Sequence, residues 1–439
     1  MTETKDITSR LARSASVLAL AMVFSQVIGL LSKSVIGSYY GASSEVDAFL
    51  ASNRLTEILF NLVAGGALCS AFVPFFSALL DKKDNDGAWR LASNIANSVS
   101  ALLALLCVLG FIFAPQIVRY ILVPGFSLNN PELQDLTVKL LRIQLPSVVI
   151  FGLSGLVMGI LNANQHFLFP GLAPAMYQIG ILGGVVFLSK PLGIEGLAVG
   201  ALAGSLLHFL VQLPQLLRLK GKSYVPSFGL RDPSVRNVIK LIIPRQIGAS
   251  AVQLNFLINN YIASYLAAGS ISALSWGLAL MLMPQAAIAQ SVATVSLPIF
   301  SVQAARGERN EMRSALASTL RLVLLLAIPA SVGLILLGKP IVTLIFERRA
   351  FTPQMTAMVS WALAWYGAGL VGHCIVEVVS RAFYAMHDTK TPVIILFFAM
   401  LANMAMSVFF SMVVFRSMGW MEHGGLALAN SIATALEMC

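Results

Sequence analysis

Charged residues are scarce in this sequence. Only 11% of the 439 residues are charged, whereas 57% are hydrophobic. A water-soluble globular domain carries roughly 25% charged residues, so a soluble chain of this length would lack the polar groups that cover a surface. The lipid bilayer is the solvent that fits this composition, and we predict a polytopic membrane protein.

Cysteine pairs and catalytic motifs are also lacking. The four cysteines include no CxxC pair, which argues against a disulfide framework or a metal site. The sequence contains no HExxH motif, no Ser-His-Asp set and no Walker A motif. We therefore predict no enzyme, no ATP-driven pump, no cofactor and no metal ion. The net charge of +10 includes no basic stripe with interleaved aromatics, so we expect no nucleic-acid partner.

Long apolar stretches are what the sequence does contain. A helix needs about 20 apolar residues to cross a bilayer, and we predict about twelve such spans. They cover residues 14–39, 47–79, 90–113, 134–161, 168–189, 194–217, 235–264, 270–302, 313–337, 354–385, 391–415 and 422–439. The first apolar run is longer than that of a signal peptide, so we expect it to be retained. Basic residues are concentrated in the loops on one side, which predicts a cytoplasmic N-terminus.

Three short segments of the first half recur, in the same order, in the second half. The pairs are 74–77 (PFFS) with 298–301 (PIFS), 115–118 (PQIV) with 340–343 (PIVT), and 161–170 (LNANQHFLFP) with 383–392 (FYAMHDTKTP). An even number of spans in each half makes the two repeats parallel, and transporters built in this way bind substrate between the halves. We predict an all-α fold of two six-helix lobes, residues 1–220 and 221–439, around a central cavity.

Polar side chains inside the predicted spans mark the candidate site. A charge at this depth costs about 2.5–3.5 kcal/mol on insertion scales, so it tends to face a cavity or a partner. The candidate substrate-binding residues are Gln26, Lys33, Asp47, Arg54, Glu57, Asn61, Asn255 and Asn259.

Each of these candidates also has a structural interpretation. Arg54, Glu57 and Asn61 follow i, i+3, i+7 spacing and share one helical face. This face could form a partly cationic wall for an anionic substrate, or the Arg54–Glu57 pair could only neutralise itself. Lys33 could extend to the outer interface, and Asp47 could only cap its own span. The asparagines of the seventh span could bond neighbouring helices instead of binding substrate.

His373 and Glu377 are i, i+4 neighbours in the tenth predicted span. They could form a proton relay or a cation site for ion coupling. A hydrogen bond between the two side chains is the more common arrangement where no third ligand is in view.

Seven segments in order along nearly the whole chain carry a family resemblance. They are FSQVIG (24–29), Asp47-Ala48-Phe49, GALCSAFVPFFS (66–77), VPGF (123–126), GILNANQHFLFPGLAPAM (159–176), IFERRAFT (345–352) and RAFYAMHDTKTPV (381–393). Together they resemble the MurJ/MviN family, the lipid II flippases of the MATE-like MOP superfamily. The resemblance implies flipping of a lipid-linked peptidoglycan precursor across the bacterial cytoplasmic membrane by alternating access. The implied partners are that precursor, membrane lipids and cell-wall synthesis proteins.

The resemblance also implies arginines that hold the pyrophosphate of the substrate, because the guanidinium fork matches phosphate oxygens. At the family positions this chain has Gln26, Ser32, Phe60 or Asn61, and Ala279. Asp47 does match, and Lys33 and Arg54 could supply charge from neighbouring positions. The sequence ends inside the predicted twelfth span, two helices short of typical members, so we expect a truncated chain.

The leading functional hypothesis is a flippase for the lipid-linked precursor. A cation-coupled exporter of amphipathic small molecules is the alternative within the superfamily, and His373 and Glu377 would carry more of its function. A non-transporting partner in a cell-wall complex is the alternative from another class, motivated by the missing arginines.

Overall fold

The structure is a computed structural model, and it describes residues 2–63, 66–219, 221–229 and 233–438. Every regular element in these ranges is helical. A helix pairs each backbone N–H with a carbonyl of the same segment, which is what a chain surrounded by lipid requires. The helices of the first half are α1 (Thr2–Tyr40), α2 (Ser44–Val63), α3 (Gly66–Asp81), α4 (Asn85–Ile112), α5 (Ala114–Ile117), α6 (Pro124–Asn129), α7 (Pro131–Gln144), α8 (Pro146–Ala163), α9 (Leu168–Gly183), α10 (Ser189–Leu192), α11 (Glu195–Leu210) and α12 (Leu213–Arg218).

The second half continues with seven helices. They are α13 (Pro233–Ala263), α14 (Ser270–Gln285), α15 (Ser291–Ala305), α16 (Arg309–Phe346), α17 (Pro353–Ala385), α18 (Lys390–Phe409) and α19 (His423–Met438). Short π-helical turns interrupt or extend four of the long segments, at Val118–Leu122, Gly184–Leu188, Ala286–Gln290 and Phe410–Phe415. The predicted all-α class is therefore confirmed.

Nine helical segments in the described ranges are long and apolar enough to cross a bilayer. They are Leu20–Tyr40, Asn85–Ile112, Pro131–Ala163, Leu168–Leu192, Glu195–Arg218, Ser270–Ala305, Arg309–Phe346, Pro353–Ala385 and Lys390–Phe415. The three other predicted spans are also helical. The second corresponds to α2 and α3, and residues 64–65 between them lie outside the described ranges. The seventh corresponds to α13, and the twelfth to α19 with its 16 residues.

The backbone divides into two compact units. The first comprises residues 1–36, 48–122 and 130–250, and the second comprises residues 37–47, 123–129 and 251–439. The predicted lobe boundary between residues 220 and 221 stays a prediction.

Glycines allow α9 and α11 to pack closely in the first unit. A Cβ atom at Gly180 would overlap the backbone of Gly204, and one at Gly184 would overlap the backbone of Gly196 and Gly200. These glycines recur every four residues, so they form one stripe on each helix. Small residues at this spacing let two membrane helices approach to backbone contact.

An extended strap, residues 223–228, lies along α4 in the first unit. The Asn97 side-chain amide donates to the Ser227 carbonyl oxygen at 2.8 Å and to the Val225 carbonyl oxygen at 3.3 Å. The Val225 N–H donates to the Ser93 hydroxyl at 3.1 Å. The polar face of α4 therefore satisfies backbone groups of a segment that has no secondary structure of its own.

An aromatic stack fixes the turn between α16 and α17 in the second unit. The rings of Trp276 and Phe346 are stacked with centroids 5.3 Å apart, and Phe346 stacks on Phe351 at 5.6 Å. The Ala350 N–H donates to the Ser38 carbonyl oxygen at 3.1 Å, so the end of α1 is held against this turn. The IFERRAFT segment is thus a packing motif in this protein.

The sequence repeat recurs in the backbone. Gln165 and His387 occupy equivalent positions of the LNANQHFLFP and FYAMHDTKTP pair, and both are left-handed, with φ of 61° and 60°. Lys83 and Gly307, which follow the PFFS and PIFS pair, are also left-handed, with φ of 61° and 72°. Each ends its helix with N–H groups that donate back to the last turn. The two halves therefore end equivalent helices in the same way.

Candidate substrate-binding site

The charged face of α2 forms the centre of the candidate site. Arg54 Nη1 lies 2.8 Å from Glu57 Oε2, and Asn53 Nδ2 donates to Glu57 Oε1 at 2.9 Å. The side chain of Arg54 is 23% exposed and that of Glu57 is 40% exposed. The predicted i, i+3 ion pair is present, and both Glu57 oxygens have a donor from their own helix.

Tyr177 of α9 extends this network and was not predicted from the sequence. Its hydroxyl donates to Asn53 Oδ1 at 2.8 Å, and its ring meets Phe151 edge-on at 5.1 Å. Phe60 packs on the other side of Phe151, with centroids 4.9 Å apart. One of the positions at which the family resemblance implies an arginine is therefore part of an aromatic cluster. A single tyrosine in an apolar span gives no sequence signal that would have identified Tyr177.

Lys33 of α1 lies close to the same charges. Its side chain is half-buried, and it is within electrostatic range of both Glu57 and Arg54. This environment disfavours the alternative in which Lys33 extends to the outer interface. The structure brings together two basic side chains and one acidic side chain from α1 and α2, and we name Lys33, Arg54 and Glu57 the charge cluster.

Two other candidates on these helices are not bonded to the charge cluster. Gln26 is exposed on α1 and Asn61 is half-buried on α2. In the described part of the chain, neither side chain donates or accepts a hydrogen bond within the cluster. Ser32, at another position where the family resemblance implies arginine, is buried, and its hydroxyl has no partner among the described residues.

Asp47 has a structural role that the sequence did not predict. Its carboxylate accepts hydrogen bonds from the Gly269 N–H at 2.7 Å, the Ser272 N–H at 2.7 Å and the Ser272 hydroxyl at 2.5 Å. Asp47 therefore caps the N-terminus of α14, and not the start of its own helix, which was the structural alternative to substrate binding. Both carboxylate oxygens have donors, which disfavours a role in substrate binding.

The asparagines of α13 lie in the second unit. Ser407 of α18 donates to Asn403 at 3.0 Å and also approaches Asn259 Oδ1 at 3.4 Å. This arrangement fits the interhelical interpretation of Asn259. Asn255 is buried, and its Oδ1 atom has no hydrogen-bond partner among the described residues.

His373 and Glu377 do not pair with each other. Glu377 Oε1 lies 2.7 Å from Arg381 Nη2, one turn further along α17. His373 Nε2 lies 3.2 Å from both Asn430 Oδ1 and Thr434 Oγ1 of α19. The predicted hydrogen bond between His373 and Glu377 is wrong, because each side chain has a better-placed partner. Their role in ion coupling stays a prediction.

Solved transporter structures share this architecture. An inward-facing multidrug resistance MATE family transporter of the MOP superfamily aligns with a TM-score of 0.74 over 94% of this chain and 93% of its own, at 18% sequence identity. Identity this low supports a conclusion about the fold alone. The protein is thus a multi-pass membrane protein with the helical fold of the MOP superfamily.

More similar proteins define the family. A structure of the lipid II flippase MurJ in an inward closed conformation aligns with a TM-score of 0.81 at 29% identity, covering 96% of this chain and 85% of that one. The lipid II flippase MurJ of Burkholderia cenocepacia is 30% identical over 94% of this chain and 80% of its own length. The probable lipid II flippase MurJ of Buchnera aphidicola is 31% identical over 95% of this chain and 80% of its own length. The family model described as lipid II flippase MurJ matches residues 36–439, and the chain belongs to this family.

Proposed function

We propose that this protein flips the lipid-linked peptidoglycan precursor lipid II from the inner to the outer leaflet of the bacterial cytoplasmic membrane. It does so by alternating access and makes no covalent change to the substrate. Its N-terminus lies in the cytoplasm, where the excess of basic loop residues belongs. Family membership and the charge cluster on α1 and α2 support this proposal.

The charge cluster carries the proposal because it can exchange partners. Arg54 and Glu57 are both partly exposed, so a ligand can reach the two side chains. The Arg54–Glu57 contact and a contact of Arg54 with a phosphate oxygen are both charge-assisted hydrogen bonds. A pyrophosphate carries more negative charge and more acceptor oxygens than one carboxylate, so it would compete with Glu57 for Arg54, and Lys33 would add a second cation.

Asn53 and Tyr177 have a positioning role in this proposal. The Tyr177 hydroxyl fixes Asn53, and Asn53 in turn holds one oxygen of Glu57. Glu57 then keeps Arg54 in place until the substrate arrives. An acidic side chain in a site for an anion is consistent with transport, since a site without it would hold the pyrophosphate too tightly to release it.

Binding to purified protein tests the proposal. Monodisperse protein is titrated with lipid II, undecaprenyl phosphate and a neutral polyprenol, for the wild type and for a Lys33→Ala, Arg54→Ala double variant. We expect the wild type to prefer lipid II, and the double variant to bind it at least about tenfold more weakly, the effect of losing a charge-assisted contact. A Lys190→Ala, Arg313→Ala variant removes two exposed basic residues outside the cluster and is the matched control.

Two outcomes would contradict the proposal. Folded wild-type protein that fails to distinguish lipid II from the neutral polyprenol would favour a non-transporting partner. Normal lipid II binding by the double variant would remove the cluster from the site. Drug efflux that depends on Glu377, tested with Glu377→Gln, would instead favour a cation-coupled exporter.

A further inference from the structure

A cavity of about 460 Å³ opens in the first unit beside α4, α5 and α7. Its wall combines apolar side chains, among them Phe111, with the charged side chains of Asp135, Lys139 and Arg142. None of these residues belongs to the charge cluster, so the cavity is a separate feature of the molecule.

The three charged residues share one face of α7, because they follow i, i+4, i+7 spacing. Asp135 and Lys139 would normally pair within the helix. Instead, Lys139 Nζ lies 2.5 Å from Glu195 Oε1, at the start of α11. Asp135 is exposed and forms no ion pair within the described ranges. Glu195 therefore neutralises Lys139, and the negative charge of Asp135 has no ion-pair partner among the described residues.

Arg142 is held in place by groups that do not neutralise it. Its Nε donates to the Phe111 carbonyl oxygen at 3.2 Å, and its guanidinium carbon lies 4.9 Å above the Phe111 ring. A guanidinium has five N–H donors, so its terminal nitrogens can still bind an anion. Among the described residues, no carboxylate pairs with Arg142.

The surroundings of the cavity indicate where its ligand comes from. Ile112, Phe113 and Tyr120, next to the cavity wall in the chain, are 56%, 49% and 64% exposed. Large exposed apolar side chains of a membrane protein face lipid, and charged residues at the end of an apolar helix lie at the level of the lipid headgroups. The cavity thus adjoins a lipid-facing surface at the end of α4.

We propose that this cavity binds the headgroup of a zwitterionic phospholipid that carries a primary ammonium group. Its phosphate contacts Arg142 and its ammonium contacts Asp135. Both residues line the same cavity from one face of α7. The acyl chains leave along Phe111 and the exposed apolar side chains. A purely anionic headgroup would satisfy Arg142 but would face the negative charge of Asp135.

Lipid binding to the detergent-purified protein tests this site. Phosphatidylethanolamine, phosphatidylglycerol and phosphatidylcholine with identical acyl chains are titrated, and bound lipid is counted by native mass spectrometry. We expect phosphatidylethanolamine to bind most tightly. Arg142→Gln should weaken its binding about tenfold, the loss expected for one charge-assisted contact. Asp135→Asn should abolish the preference for phosphatidylethanolamine over phosphatidylglycerol.

Controls separate a built site from general contact with lipid. Arg119→Gln removes another exposed arginine of the same region that does not line the cavity, and it should bind as the wild type does. Arg142→Lys keeps the positive charge if Arg142→Gln proves unstable, and it should retain most of the binding. Equal binding of the three lipids by the wild type, or equal binding by Arg142→Gln and Arg119→Gln, overturns the proposal. Soluble phosphoethanolamine that binds as tightly as the lipid would also overturn it.

Discussion

Asp47 illustrates how a single buried carboxylate joins distant parts of the chain. It lies near the start of α2, yet its donors belong to Gly269 and Ser272, more than 200 residues away. Spacing along the sequence relates only near neighbours, so it offered substrate binding or a cap on the residue's own helix, but not a cap on α14. The Arg54–Glu57 pair, by contrast, was predictable because both partners lie within one helical turn.

Replacement of Asp47 should destabilise the protein. In Asp47→Asn, the side-chain amide would place N–H donors against backbone N–H groups that now donate to a carboxylate. An unsatisfied buried group of this kind costs about 1–3 kcal/mol. The melting temperature of the purified variant should therefore fall, whereas Asp81→Asn, at an exposed position, should melt as the wild type does. Equal melting of the two variants would contradict the capping role.

Removal of the Tyr177 hydroxyl should have a smaller effect. Tyr177→Phe leaves Asn53 Oδ1 without its donor from α9 and should lower stability by about 1 kcal/mol. Binding of lipid II should weaken modestly, because the substitution removes a hydrogen bond that helps to position Glu57 and Arg54 but removes no charge. Tyr120→Phe, at a 64% exposed position, is the matched control and should change neither property. Full retention of stability in Tyr177→Phe would argue against the network.

The close packing of α9 against α11 depends on glycines, which place no side chain between the two helices. Gly200→Leu would drive a side chain into the backbone of Gly180 and Gly184, whereas Gly183, on the other face of α9, has no atom within 4 Å of an added Cβ. Overpacking of a membrane helix interface costs at least about 1–3 kcal/mol. We expect Gly200→Leu to reduce the yield of folded protein and its melting temperature. Gly183→Leu should be tolerated, and similar damage from both would contradict the close approach.

Hydropathy located the helices better than it located their ends and irregularities. The apolar runs predicted α4, α9, α16 and α17 because each is continuous over the length of a bilayer. The π-helical turn at Ala286–Gln290 is not visible in hydropathy, although it begins two residues after Pro284, a residue that favours a bend. The left-handed helix ends at Gln165 and His387 are likewise invisible in hydropathy, although the sequence repeat places them at equivalent positions.

The orientation of the chain in the membrane is open to a direct test. A cytoplasmic N-terminus places the loop after α3 inside the cell and the loop before α11 outside it. Lys83 is exposed in the first of these loops, and Lys190 is exposed in the short helix α10, just before the second. A membrane-impermeant maleimide should label Lys190→Cys in intact cells, but should label Lys83→Cys only after the membrane has been permeabilised. The reverse pattern would show that the excess of basic residues was assigned to the wrong side.

The fold of the protein was predictable because several sequence signals agree. Apolar runs gave the class, repeated segments gave two halves, and the family resemblance gave their helical arrangement. The charge cluster was predictable only in part. Lys33, Arg54 and Glu57 could be identified as candidates from the sequence, but the proximity of α1 and α2 could not be predicted from it. Two lobes were predicted, but the assignment of segments such as 37–47 and 123–129 to the second unit was not predictable, because it depends on contacts between segments far apart in the sequence.

The strap along α4 affects how readily a protease can cut the chain. Its Pro226, and Gly221 and Lys222 just before it, mark this stretch as a loop that proteases would be expected to cut. A protease must take up an extended backbone through hydrogen bonds of its own. Several of those backbone groups already bond to α4, through the side chains of Ser93, Asn97 and Ser98. Cleavage must therefore wait until the strap detaches, and this segment is shielded for as long as α4 keeps its polar face.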